Sequence, residues 1–349
     1  MCWIRRLIPI LLLVSMANAT EPKVSVVSEN LEHPWALVFL PQGDLLITER
    51  PGRLQRVNPQ TGEQQIIHGT PTVSASGQGG LLDIALHPSF AENRWVYLTW
   101  AGQCESGTAT HLGRGRLIDD ALKDFETLFI ATPCVDSGRH FGSRIVFDSN
   151  GYLMMTTGDR GERNRAQDLN DYNGSVLKLN DDGSIPGESA IYSYGHRNPQ
   201  GAAIHPQTGV LWIHEHGPRG GDEINLPVAG GNFGWPEVTY GREYWGPRIG
   251  ENSLPGMVDP IYQWTPSIAP SGMAFYTGDA FPEWQGNVFV GALVQTHLVR
   301  LELDGTTITQ ETTYLAERNR RIRAIAQGPD DLIYLLTDHR NGELLRLSP

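Results

Sequence analysis

The chain has 349 residues, of which 27 are Lys or Arg and 39 are Asp or Glu, a formal net charge of −12. Nucleic-acid binding needs clustered basic charge against phosphate, so a chain this acidic is a poor candidate for it. Beyond the N-terminus no run approaches the ~18 consecutive apolar residues of a transmembrane helix, and no membrane span is expected.

In chain order, Arg5 and Arg6 come first, then an apolar run from Leu7 to Met16, then Ala17-Asn18-Ala19. A basic start, a short apolar stretch and an A-x-A ending compose a secretory signal peptide. Residues 1–19 are therefore expected to be cleaved near Ala19, leaving 20–349 as one domain in the periplasm or outside the cell. Cleavage removes Cys2 and leaves Cys104 and Cys134. In an oxidising compartment these two are expected to form a disulfide, since their spacing matches no zinc site.

The rest of the chain repeats one template: a short apolar strand, a turn often carrying Pro, a small or polar residue, and a second strongly apolar strand. The copies are Trp35–Pro41 with Gly43–Thr48, Leu82–Pro88 with Trp95–Thr99, and Ser143–Asp148 with Gly151–Thr156. They continue with Gly201–Pro206 and Gly209–His214, Ser271–Tyr276 and Gly286–Gly291, and Ile322–Ala326 and Asp331–Leu336. Some copies close on a third strand, as in Gly52–Val57 and Gly342–Leu347. Such units cannot bury both faces alone, and radial stacking covers them. The fold expected is all-β, a six-bladed β-propeller, with the strand at Lys23–Val27 pairing with the last blade to close the ring. A two-sheet sandwich has no need of the same grammar in every copy.

Function on such a scaffold resides in loops. Four segments are richer in special residues than turns require: Gly77–Gly80, Arg139–Arg144, Tyr194–Gly201 and Glu215–Glu223. His140 is the best candidate for a proton acceptor near neutral pH, whereas His87 and His205, each before a proline, read as turn residues. Arg197, Arg321 and Arg323 suit planar carboxylates and need a polyanionic ligand or acid partners. The loop from Gly217-Pro218 to Asp222 and Glu223 offers carbonyls and carboxylates to a hard cation such as calcium, though Asx-type turns explain it equally well.

Together these segments resemble the soluble quinoprotein sugar dehydrogenases, the aldose sugar dehydrogenase and soluble glucose dehydrogenase group that uses pyrroloquinoline quinone (PQQ). The likeness spans nearly the whole mature chain and is carried by Gly195–Gly201, His216–Pro218, Asp222–Leu226, Gly230–Pro236 and Arg321–Arg323. It implies PQQ across one end of the channel and oxidation of an aldose at C1 to a lactone, with His140 as base. Gln78, Arg197, Asn198, His216, Arg321 and Arg323 match cofactor-contacting positions. The carbonyls of Gly217 and Pro218 match those holding a calcium at the quinone, and Glu223 with the carbonyl of Phe233 matches a second, structural calcium position.

Two departures stand out. Relatives of this kind often carry a lysine after the Gly-Ala-Leu strand, but here Gly291-Ala292-Leu293 runs into Val294-Gln295-Thr296, leaving one cationic contact to another residue such as Arg219. Arg139 precedes the base where the glucose dehydrogenase branch has an acid. Trp264 is a further expected wall of the site. The partners implied are an aldose and an electron acceptor that no motif specifies, for a monomer or weak dimer. A calcium-dependent lactonase, needing several carboxylate and Asn ligands in the channel, and a non-catalytic binding propeller are the competing readings.

Overall fold

A computed structural model describes residues 21–349, so the signal-peptide expectation lies outside the described residues. Six small antiparallel sheets follow one another along the chain. In the first blade the strands are Pro34–Phe39, Leu45–Glu49, Arg53–Val57 and Gln64–Ile67. The inner strands of the next five are Leu81–Leu86, Ile145–Phe147, Pro199–Ile204, Pro270–Phe275 and Ile322–Gln327.

Both faces of each sheet are covered, so second strands such as Leu45–Glu49 and Ile333–Thr337 are buried throughout, and each opens on an unbroken apolar run, Leu45–Ile47 and Ile333–Leu336. Six apolar clusters fill the seams between neighbouring blades. They run in order from Trp35 and Leu46 against Ile84 and Leu98, round to Tyr334 and Leu336 against Leu37 and Ile47. That last seam closes the circle, so the expected six-bladed propeller is the observed fold. Lys23–Leu31 pairs with Gly342–Ser348, Val24 opposite Leu347, and the two chain ends share one blade as anticipated.

Each blade also has an outer fourth strand, which the repeat template lacked. Gln64–Ile67, with three of four residues exposed, shows why: the rim strand faces solvent and carries little apolar signal. In the third blade the rim gains a fifth, parallel strand, Gly231–Asn232.

A recurring irregularity shapes the channel mouth. In five inner strands the register slips near the N-terminal end, between Pro34 and Ala36, Leu81 and Ile84, Pro199 and Gly201, Ser271 and Met273, and Ile322 and Ala324. Such bulges re-aim the extra side chain, here Trp35, Leu82, Gln200 and Arg323. The second-strand residue level with the bulge bonds to the next blade: Thr48 Oγ1 donates to Leu82 O (2.6 Å), Thr99 Oγ1 to Ser143 O (2.8 Å), and His214 Nε2 to Gly272 O (3.0 Å). In the fifth blade that residue is Gly291, where a Cβ would lie 2.5 Å from Ile322 O.

Candidate active site

A cavity of about 1020 Å³ opens where the inner strands begin, lined from every blade, including the bulge residues Trp35, Leu82, Gln200 and Arg323. Gln78, His140, Arg197, Asn198 and His216 line it, as do Gly217, Pro218 and Arg321. Glu223 and Phe233 do not. They border a second, much smaller space behind the Gly217 turn, which Arg197, His216 and Gly217 share with the main cavity.

His140 is held from three sides. Its backbone takes a left-handed φ of 54°, its N–H donates to Gln78 Oε1 (2.7 Å), and its Nδ1 lies 2.6 Å from Asp159 Oδ1. Asp159 is fixed in turn, accepting from Gly161 N (2.7 Å) and from Trp235 Nε1 (2.8 Å). Burial lowers the His140 pKa, with Asp159 opposing and Arg197 adding to the effect. For Asp159, burial raises the pKa but His140 and Arg197 outweigh it, and the net shift is downward. Both directions describe one state: a neutral imidazole donating Nδ1–H to an ionised carboxylate, leaving Nε2 as an acceptor.

The disulfide Cys104–Cys134 is present as expected. It ties the Trp95–Cys104 and Gly107–Ile118 hairpin to the segment entering His140, alongside the Thr108–Val135 bridge. Fully buried Arg160 braces the same segment, donating to Arg139 O (2.9 Å) and Thr108 O (2.9 Å) and lying over the Phe141 ring.

Among the described residues, six arginines line the cavity against a single carboxylate, Asp338. Arg321 Nη2 and Arg323 Nη2 both donate to Asp338 Oδ2 (2.9 Å each), and Arg323 Nη1 reaches Ser271 Oγ (3.1 Å). Burial works against ionisation of Asp338, but Arg323 and Arg321 hold its pKa well below the usual carboxylate range. Among the described residues Arg197 has no acid at its guanidinium, and its Nη1 donates to the carbonyls of His216 (3.0 Å) and Gly217 (2.8 Å). Asn198 Oδ1 accepts from Gly142 N (3.2 Å). His216 Nε2 donates to Pro270 O (2.8 Å), and burial lowers its pKa well below the ordinary value.

No three His, Cys, Asp or Glu side chains converge to hold a metal among the described residues, so a cation here depends on carbonyl oxygens. The Gly217 turn is curled so tightly that a Cβ on Gly217 would lie 2.2 Å from Gly220 O and 2.3 Å from Gly221 O. This oxygen-rich donor set fits a hard cation whose coordination a ligand completes. Behind it, Glu223 is buried, and burial together with Glu215 pushes its pKa well above the ordinary value. It makes no ion pair among the described residues, and nearby Asn225 Oδ1 is buried without a partner, so this second position also fits a cation.

Some expectations are corrected. Trp264 does not wall the cavity: it is buried in the seam between the fourth and fifth blades, with Nε1 on Glu311 (2.8 Å), and Thr265, Pro266 and Ser267 face the cavity instead. Asp222 is no cation ligand, because Oδ1 accepts from Gly217 N and Oδ2 from Ser267 Oγ, Ile268 N and Ala269 N. Arg139 is exposed outside the cavity lining, whereas Arg219 and Val294 do line it. His87 and His205 are turn residues, each ring accepting from a backbone N–H two residues on.

Sequence reading missed Asp159, Trp235, Asp338, Gln200 and Arg50. A signal for Asp338 existed: two other second strands end on an acid, in Thr48-Glu49 and His214-Glu215, and Asp338 directly follows the strand ending at Thr337. Asp159 lies in the corresponding loop of the third blade, three residues past Thr156.

Residues 31–346 match the family model described as glucose/sorbosone dehydrogenase. The aldose sugar dehydrogenase YliI of Escherichia coli K12 is 42% identical over 362 residues, covering 98% of each chain. Quinoprotein glucose dehydrogenase B of Acinetobacter calcoaceticus is 29% identical, covering 90% of this chain and 84% of its own. The apo crystal structure of a soluble aldose sugar dehydrogenase from Escherichia coli superposes with a TM-score of 0.92 at 42% identity, covering 94% of this chain and 99% of that one. The PQQ-bound aldose sugar dehydrogenase of Streptomyces coelicolor gives 0.81 at 30% identity, covering 94% and 98%. With both its sequence and its six-bladed frame matched across nearly their full length, this chain belongs to the glucose/sorbosone dehydrogenase family of oxidoreductases.

Proposed function

We propose that the protein oxidises aldose sugars at C1 to lactones outside the cytoplasm, with PQQ and calcium in the main cavity and His140 as general base. The observation that carries the reading is the pairing of a neutral, carboxylate-oriented imidazole with a cavity wall of six arginines and one acid. PQQ is a tricarboxylate quinone, which suits that wall and supplies, when bound beside calcium, the electron-poor carbon that accepts the C1 hydride.

The chain's own residues do the rest. Arg197, Arg321 and Arg323 hold carboxylates by charge-assisted hydrogen bonds. Gln78 and Asn198 fix the loops of the site while their remaining amide groups border the cavity. The Gly217 and Pro218 carbonyls would take the calcium at the quinone, and Glu223 with the Phe233 carbonyl the structural one. His140 Nε2 takes the C1 hydroxyl proton as the C1–H electron pair leaves, so the C–O bond becomes the lactone carbonyl. Asp159 stabilises the imidazolium that forms. Against the lactonase reading, the one carboxylate lining the cavity among the described residues already serves two arginines.

The test is reconstitution with PQQ and calcium, followed by dye reduction on addition of aldoses. Aldose-dependent reduction is expected in the wild type, with His140→Ala silent yet still binding PQQ. A folded, reconstituted protein that reduces no dye with any aldose refutes the reading.

A further inference from the structure

The sequence lacks a cation at residue 294, and the structure holds one that no motif marked. Arg50 follows the second strand of the first blade and lines the main cavity. Its backbone N–H donates to His33 O (3.1 Å) and its carbonyl accepts from Leu81 N (3.0 Å). The side chain is tethered on one side only: Nε donates to Gly79 O (3.1 Å) and Nη2 to Gly77 O. Nη1 has no protein partner, and no carboxylate comes within ion-pairing distance among the described residues.

The same wall continues to residue 294. His33 Nδ1 lies 3.4 Å from Asp338 Oδ1, Asp338 Oδ2 binds Arg321 and Arg323, and Arg321 Nη1 donates to Leu293 O (3.2 Å), beside exposed Val294. Two guanidinium groups and the His33 ring thus share one acid, and Arg50 pairs with none among the described residues. Burial lowers the Arg50 pKa first, and Arg323 lowers it further with Asp338 opposing, as for a cation set among cations. A half-buried, uncompensated guanidinium with free donors is stabilised by an incoming anion.

We propose that Arg50 is a cofactor-anchoring residue, binding a carboxylate of the polyanionic cofactor on the wall where residue 294 is valine. The inference rests on PQQ as the cavity's occupant. The alternative is that Arg50 only holds Gly77–Gly79 and thereby positions Gln78.

The experiment is equilibrium titration of PQQ into the calcium-loaded apoprotein, followed by calorimetry, with the apoprotein melting temperature recorded. The proteins are wild type, Arg50→Lys, Arg50→Gln and Arg50→Gln/Val294→Lys. Loss of one charge-assisted contact predicts a Kd weaker by about ten- to a hundredfold for Arg50→Gln. Arg50→Lys is expected to keep most of the affinity, and the added lysine to restore much of it in the double variant. Wild-type affinity in Arg50→Gln overturns the proposal. So does an equal loss in Arg50→Lys and Arg50→Gln with no rescue by Val294→Lys, which assigns Arg50 to loop support alone. A wild type that binds no PQQ overturns the occupant itself, and this inference with it.

Discussion

Asp159→Asn isolates the step that readies the base. The carboxylate accepts from His140 Nδ1 at 2.6 Å, from Gly161 N at 2.7 Å and from Trp235 Nε1 at 2.8 Å. His140 Nδ1 and Gly161 N share Oδ1 while Trp235 Nε1 takes Oδ2, so an asparagine of the same shape must face one of these oxygen sites with its NH2. With the amide oxygen at the Oδ1 position the imidazolium forms without its countercharge, and with it at the Oδ2 position the NH2 faces Nδ1, which becomes the acceptor and sends the proton to Nε2, the atom that must take one from the sugar. The charge-assisted bond alone is worth ~1.5–3 kcal/mol, and loss of general-base function costs ~10²- to 10⁴-fold in rate. We therefore expect kcat to fall by about 10²- to 10⁴-fold, with PQQ affinity little changed. Rapid-mixing measurement of cofactor reduction across pH provides the assay. Asp159 raises the His140 pKa and burial lowers it below its ordinary value. The acid limb of the wild-type rate thus lies below the ordinary range of a free imidazole, and the limb in Asp159→Asn lies at still lower pH. A kcat within about threefold of wild type, or a limb moved to higher pH, refutes the reasoning.

Other consequences reach beyond the base. His214 is buried between blades and burial lowers its pKa to about 3. The folded value lies below the unfolded one, so the unfolded chain takes up the proton first and stability falls as pH drops below ~6.5. From there to pH ~4 this histidine costs ~3 kcal/mol, and His214→Thr, the residue used in three other copies, should shift acid unfolding to lower pH in denaturation curves. Breaking the disulfide with Cys104→Ser, which opens a loop of sequence separation 30, should cost ~3–4 kcal/mol by urea denaturation, and hydrogen exchange should rise first around Val135–Phe141. Glu223→Gln replaces a buried carboxyl whose charged form burial and Glu215 disfavour in the absence of a cation. The variant should melt higher than wild type in EDTA, and calcium should stabilise it less. An unchanged calcium response would remove Glu223 from the cation position.

The fold was legible because each blade buries both faces of its second strand, and runs such as Leu45–Thr48 and Ile333–Leu336 announce themselves in any register. Site residues were legible where they fall in compact loops, as with Gly195–Gly201 and His216–Pro218. What stayed hidden depends on neighbours in other blades or on local backbone slips. Asp159 meets Trp235 across 76 residues, and Trp35, Gln200 and Arg323 reach the cavity because a bulge skips them out of register. Trp264 misled for the same reason: its strand pairs with Asp222–Asn225 in a register that turns the indole into the seam, one position short of the cavity residue Thr265.

The central claim is hydride removal from an aldose C1 with His140 as base. Anaerobic single-turnover mixing of the PQQ- and calcium-loaded protein with D-glucose, protiated or deuterated at C1, tests it directly. The account predicts reduction of the bound quinone with one equivalent of lactone formed, a slower rate for the deuterated sugar, and no reduction in His140→Ala. Loaded wild-type protein that leaves the quinone oxidised, or a His140→Ala variant that reduces it at the wild-type rate, contradicts it.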